Sequence, residues 1–240
     1  MLDLFLSSLP SPRVLFTVAP IAVLYVSLVA WLVGYLKAQR NVRTAYTRKI
    51  FHFLIFTAVS IVHMIWHLPG VTVFGIVSTL IVIYAVRRGD GFPFYEALAR
   101  PADAPHRTLF IVVPLITTAM GGIATNSFFA AYAYVGYLVC GWGDAVGEPV
   151  GSRWGKHQYQ VPSLAGVKAR RSLEGSAAVF VCGSIAAILG LLGAGLIAPN
   201  AIAVGIACGA AGAIVEAVST HGLDNFTTQV AAAAVASLLL

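Results

Sequence analysis

Eight apolar runs of bilayer-spanning or nearly bilayer-spanning length dominate this 240-residue chain and decide what it can fold into. They fall near residues 14–36, 50–67, 71–86, 108–124, 127–141, 173–197, 201–219 and 226–240. Backbone in hydrocarbon must satisfy its own hydrogen bonds, so continuous runs of this kind become helices. Barrel strands would instead alternate apolar and polar positions over roughly ten residues. Only 10% of the residues are charged, against about 25% in soluble domains. The expectation is an all-α, polytopic transmembrane helix bundle with about eight crossings, forming a single integral membrane domain over residues 1–240.

The links between the runs set the orientation. Those at Leu68-Pro-Gly70, Thr125-Asn-Ser127 and Ala198-Pro-Asn200 are short and uncharged, whereas 37–49, 87–107, 142–172 and 220–225 are longer and polar. Of 15 Lys and Arg residues, all but Arg13 lie in the first three polar links. The positive-inside rule places these links in the cytoplasm and both termini outside. The net charge of +6 flanks membrane segments, which argues against nucleic acid as a partner and for membrane lipids. Cys140, Cys182 and Cys208 lie within apolar runs without disulfide or zinc spacing. The first run is too long for a signal-peptide core, and no clear cleavage site accompanies it.

Within that topology the carboxylates draw together. Asp144 and Glu148 follow the fifth run, Glu174 opens the sixth, Glu216 lies in the last turn of the seventh, and Asp224 precedes the eighth. All five fall near the cytoplasmic boundary, where ionisable side chains need a wet cavity or a partner. Arg48, Lys49, Lys156, Arg170 and Arg171 supply cations at the same level. Carboxylates and cations at one depth suit a Mg²⁺–polyphosphate site: Mg²⁺ takes one or two carboxylates plus substrate phosphates, and Arg and Lys take the remaining phosphate oxygens.

The stretch GWGDAVGEPVGSRWGKH over residues 141–157 admits two readings. Gly143, Gly147, Gly151 and Gly155 recur every fourth residue and would form a smooth ridge for close helix contact. Pro149 argues for a broken helix ending near Asp144, after which glycine N–H groups would approach an anion. The second reading is the one expected, with 142–172 a cytoplasmic active-site loop. It is not a Walker A loop, because Val150 and His157 stand where that pattern needs Gly and Ser or Thr.

Four motifs then carry a resemblance. Gly143-Asp-Ala…Glu-Pro-Val-Gly…Gly-Lys156, Arg171-Ser-Leu-Glu-Gly-Ser176, Arg48-Lys-Ile-Phe-His52 and Glu216-Ala-Val-Ser-Thr-His-Gly-Leu-Asp-Asn225 together resemble the polyprenol kinase family of phytol, dolichol and CTP-dependent diacylglycerol kinases. They cover most of residues 48–228 in family order. The resemblance implies a membrane enzyme that moves the γ-phosphate of CTP, or another nucleoside triphosphate, to a lipid alcohol with Mg²⁺. Carried over residue by residue, it implies an acidic, metal-holding set of Asp144, Glu148, Glu174, Glu216 and Asp224, with Asp144 or Glu174 positioning or deprotonating the hydroxyl. It implies nucleotide contacts from Arg48, Lys49, His52, Gly147, Gly151, Lys156, Arg170, Arg171, Ser172 and Asn225. Phe226-Thr-Thr-Gln229 replaces the family's usual Pro after the Asp-Asn pair, so that corner departs from the pattern.

Other residues weigh less. His63 and His67 have metal-ligand spacing but stand beside Trp66 at the far boundary, where an interfacial role fits better. His157 and His221 are placed behind the carboxylates, and a short amphipathic piece near 92–98 reads as a surface loop or an interfacial segment. Two other functions compete. A phosphatidate cytidylyltransferase-like CDP-lipid synthase needs the same acids, Mg²⁺ and CTP, but releases pyrophosphate. A transporter would place its charges near the midplane and show matching inverted halves, and neither is visible here.

Overall fold

The computed structural model describes residues 8–162, 169–220 and 222–240; Lys168 and His221 lie outside them. The chain is helical nearly throughout. Its order is α1 (Pro12–Arg40), α2 (Thr44–Arg88), α3 (Pro93–Leu98), a 3₁₀ turn (Pro101–Asp103), α4 (Leu109–Phe128), a second 3₁₀ turn (Ala130–Tyr132), α5 (Ala133–Trp154), β1 (Gln158–Val161), β2 (Ala169–Ser172), α6 (Leu173–Gly193), α7 (Ala198–Val218) and α8 (Asp224–Leu239). Five of these, α1, α2, α4, α6 and α7, are long and apolar enough to cross a membrane. Two compact units emerge, Met1–Ile111 and Val112–Leu240, with the boundary in the first turn of α4.

In the first unit α2 is two helical arms. His67 takes φ 51° and ψ −150°, and Pro69 follows it. Neither residue supports a straight helix there: Pro disfavours helical angles just before it and removes a backbone donor. The chain turns back, so Gly70 lies against Trp66 and Val62. Ile55, Val59, Val77 and Ile81, from both arms, pack on Ala22, Val26 and Phe74. The short Leu68-Pro-Gly link is thus a turn between two arms. His63 is buried at 3% exposure, its ring edge-on to that of His67 with centroids 6.0 Å apart.

The link after α2 is structured. Phe94, Tyr95, Ala97 and Leu98 of α3 are buried, so the piece expected as a surface loop or interfacial segment is core. Thr44 and Thr47 hydroxyls donate to the Glu96 and Ala97 carbonyls at 3.1 and 2.7 Å. Arg107 donates to Asp90 at 2.7 Å and to Glu96 at 2.6 Å and lies over the Tyr95 ring. Burial raises the affinity of Glu96 for its proton, but Arg107 and the Gly91 N–H outweigh it and hold the carboxyl below its ordinary value.

In the second unit, glycines set the spacing of the helices. α5 runs unbroken through Pro149 to Trp154. The expected break near Asp144, and with it a loop over the whole of 142–172, is corrected. A proline inside a helix costs about 3 kcal/mol or more, and packing along the glycine ridge offsets it. Gly143 and Gly147 face Val179, and Gly151 faces Ser172 and Gly175. α6 and α7 meet just as closely, Gly209 against Ser184 and Gly205 against Ile188. Gly136 faces Gln229 and Ala233 of α8. All these pairings run antiparallel, so the end of α5, the start of α6, the end of α7 and the start of α8 lie at one end of this unit.

The ridge is tight enough to test. A Cβ at Gly147 would stand 2.5 Å from Val179 Cγ2. Gly147→Leu is expected to destabilise the protein by about 1–3 kcal/mol or more, read as a lower thermal unfolding midpoint in detergent. Gly195→Ala, at a position with open space, is the control for a glycine that packs on nothing, its φ of +90° confining any cost to local strain.

Candidate active site

The antiparallel order of α5–α8 carries the five carboxylates to one end. Asp144 and Glu148 lie in the last three turns of α5, Glu174 in the first turn of α6, Glu216 in the last turn of α7, and Asp224 opens α8. The α5 row through Gly136 and Cys140 faces α8: Gly136 meets Gln229, and the Cys140 thiol donates to the Asn225 carbonyl at 3.8 Å. Asp144 and Glu148 continue this row, each about 6 Å further along the helix. Because α8 begins at Asp224, the row passes beyond its first turn and reaches the end of the bundle. Both acids are half-buried there.

Glu216 and Asp224 share one cation. Arg171 Nε lies 2.9 Å from Glu216 Oε1, Nη2 lies 2.8 Å from Asp224 Oδ2, and Nη1 donates to the Ser219 carbonyl at 3.0 Å. The side chains of Arg171, Glu216 and Asp224 are 11%, 11% and 13% exposed. A guanidinium presents its N–H groups in a rigid fork, and here the fork binds the end of α7 to the start of α8.

Glu174 has a different partner. Its Oε1 lies 2.8 Å from His157 Nδ1, and both of its oxygens accept from the His157 N–H at 3.3 and 3.4 Å. The contact ties α6 to the β1–β2 hairpin. The two strands pair antiparallel, Tyr159 opposite Arg171, and the Tyr159 hydroxyl meets Ser176 Oγ at 2.7 Å. Sequence reasoning missed this hairpin. Its signal was the alternation in Gln158-Tyr-Gln-Val, with Val161 buried between exposed neighbours. Along β2 the same alternation leaves Arg170 exposed and turns Arg171 inward. Lys156 is exposed just before the hairpin.

Several residues expected at the nucleotide do other work. Ser172 is 3% exposed and caps α6 by accepting from the Gly175 N–H at 3.1 Å. Gly147 and Gly151 are helical, so their N–H groups belong to α5 and their faces to α6. Asn225 is 5% exposed; its side-chain amide donates to Thr118 Oγ1 at 2.9 Å and to the Pro114 carbonyl at 3.4 Å. Gln229, one turn on, is fully buried and donates to the Asn225 carbonyl. Arg48, Lys49 and His52 belong to the first unit, in the first three turns of α2. There Lys49 is 4% exposed, and Arg48 Nη1 is buried without a hydrogen-bond partner.

Among the described residues no three of His, Cys, Asp and Glu stand together as a ready-made metal cage. The donor set still fits Mg²⁺ of the kind that keeps one or two protein carboxylates and takes the rest from phosphate and water. Asp144 and Glu148 are hard oxygen donors four residues apart on one helical face.

The Asn225 contacts make a prediction of their own. Asn225→Ala and Asn225→Asp both remove the amide donor and are expected to cost about 1–3 kcal/mol, seen as a lower unfolding midpoint without nucleotide. A residue that only touched nucleotide would leave that midpoint unchanged.

No family model matches the chain, and no solved structure matches it. The phytol kinase of Synechocystis sp. is 27% identical over 204 residues, spanning 79% of this chain and 77% of that protein. That similarity agrees with the four motifs, and with the acids and cations gathered at one end of an apolar bundle. The chain is thus similar to a phytol kinase over about four-fifths of its length.

Proposed function

We propose that the protein is a membrane-embedded lipid alcohol kinase that transfers the γ-phosphate of CTP to a prenol-type alcohol such as phytol or a polyprenol, with Mg²⁺. The observation that carries this reading is the gathering of five carboxylates at one end of α5–α8, helices whose remaining length is apolar. A lipid alcohol keeps its tail in the bilayer and its hydroxyl at the interface, and nucleotide arrives from water. A site at the cytoplasmic ends of helices meets both. That orientation rests on the confinement of cations to alternate links.

Asp144 and Glu148 would hold the metal, and the exposed Lys156 and Arg170 would take phosphate oxygens. Bound Mg²⁺ would neutralise charge on the β- and γ-phosphates. Phosphoryl transfer depends mainly on in-line positioning and charge neutralisation. The lipid oxygen attacks the γ-phosphorus, the bond from γ-phosphorus to its bridging oxygen breaks, and CDP leaves. The hydroxyl proton passes to a carboxylate. That carboxylate would be Asp144 or Glu174, the latter held by His157 through two nitrogens. In the first unit, the buried unpartnered Arg48 Nη1 supports a phosphate-binding role for the Arg48-Lys-Ile-Phe-His52 motif, because a buried guanidinium nitrogen calls for an acceptor.

The test is to incubate the purified protein with labelled CTP or ATP, Mg²⁺ and a panel of lipid alcohols. The expected products are a lipid monophosphate and CDP; release of pyrophosphate would establish the CDP-lipid synthase instead. Asp144→Asn is expected to lower kcat by about 10²–10⁴-fold with the unfolding midpoint retained. Full activity in that variant would remove Asp144 from the chemistry.

A further inference from the structure

The polar end of the first unit carries an arginine that the proposed function does not use. The returning arm of α2 runs from Gly70 to Arg88, about 27 Å at 1.5 Å per residue. A bilayer's hydrocarbon core is roughly 30 Å thick, so an arm that starts at one boundary brings Arg88 to headgroup depth at the other. There the guanidinium has an aromatic seat. Nη1 donates to the Tyr84 hydroxyl at 2.8 Å. The guanidinium carbon lies over the Phe92 ring at 5.0 Å and over the Tyr84 ring at 5.8 Å. The two rings meet edge to face at 5.7 Å. A cation within about 6 Å of a ring centre is attracted to its face. The bond to Tyr84 uses one of the five N–H groups of a guanidinium.

The acids of the neighbouring link are bonded to other cations. Arg107 takes Asp90 and Glu96, and Arg100 takes Asp103. Arg88 and its neighbour Arg87 are exposed. On the same arm Ile76, Leu80 and Tyr84 recur every fourth residue and are 56%, 60% and 53% exposed. Residues four apart share a helical face, so this row ends at Arg88. An apolar strip about 18 Å long therefore leads to a seated cation. That combination fits a molecule with an acyl chain and an anionic head. A soluble anion would leave the strip unused, and a zwitterionic headgroup brings a cation of its own.

We propose that Arg88, seated on Tyr84 and Phe92, is a binding site for an anionic phospholipid. Its phosphodiester oxygens accept from the guanidinium, a pairing that Arg geometry favours, and an acyl chain lies along Ile76, Leu80 and Tyr84. Arg87 adds charge at the same level. The site lies wholly within the first unit and stands apart from the kinase reading.

The test is native mass spectrometry of the full chain in detergent, titrated with phosphatidylglycerol or with phosphatidylcholine of the same acyl chains. Wild type is expected to hold phosphatidylglycerol at least about fivefold more tightly, the scale of one cation at an anionic lipid surface. Arg88→Gln is expected to abolish that preference with a native-like unfolding midpoint. Arg13→Gln, which changes an exposed arginine at the start of α1, should retain it. Arg88→Lys separates a built seat from diffuse attraction to basic links. It keeps the charge but loses the planar fork that stacks on rings and grips a phosphate, so most of the preference should go. A lysine variant equal to wild type would refute the seat. Equal binding of the two lipids by wild type, or an undiminished preference in Arg88→Gln, would overturn the proposal as well. Displacement of phosphatidylglycerol by inorganic phosphate at equal concentration would assign Arg88 to a soluble anion, against the proposal.

Discussion

Negative charge at the end of an apolar bundle has to be answered within a few ångströms, and the rest of the second unit is arranged around that requirement. Desolvating a carboxylate costs several kcal/mol unless a cation or several donors replace the lost water. Arg171 answers Glu216 and Asp224, and His157 answers Glu174. In the proposed kinase, the charge of Asp144 and Glu148 is met in part by what the substrate brings. On this account the site is poised to bind a cation and a polyphosphate together, each making the other affordable in electrostatic terms.

Such a gathering of acids depends on backbones that approach closely. Gly143, Gly147 and Gly151 let α6 lie directly on α5, and Gly205 and Gly209 do the same between α6 and α7. In a membrane, helices gain little from hydrophobic burial against one another, and small residues that allow dense packing take over. The seam therefore does two things. It offsets Pro149 inside α5, and it sets the register that brings the start of α6 level with the end of α5. Side-chain amides and hydroxyls complete the bundle, with Asn225 and Gln229 joining α8 to α4.

Much of this was legible in the sequence. The apolar runs gave the helices, and the small uncharged links gave turns such as the one at His67–Gly70. The carboxylates could be placed at one end because they occur at alternate ends of successive runs. What misled was local propensity. Pro149 reads as a break, yet tertiary contacts over three glycines carry the helix past it. Arg171, Ser172 and Asn225 belong to motifs that read as ligand contacts, and their bonds within the protein are made by residues 45 to 111 positions away or by a helix cap that propensity does not announce. The β1–β2 hairpin was hidden because four residues of alternation are a weak signal beside the longer apolar runs.

The most direct test of the central claim is the proximity of Asp144 to Asp224 in the membrane. Nitroxide labels at these two positions, in a protein whose three cysteines have been replaced, would report it through dipolar broadening of the continuous-wave spectrum. Asp144 lies one turn beyond Cys140, which touches Asn225, so the labelled side chains should interact strongly, within about 15 Å given a rise of 1.5 Å per residue. Spectra that equal the sum of the two single-label spectra would contradict the account, because the acids would then belong to separate surfaces and no shared cation could join them.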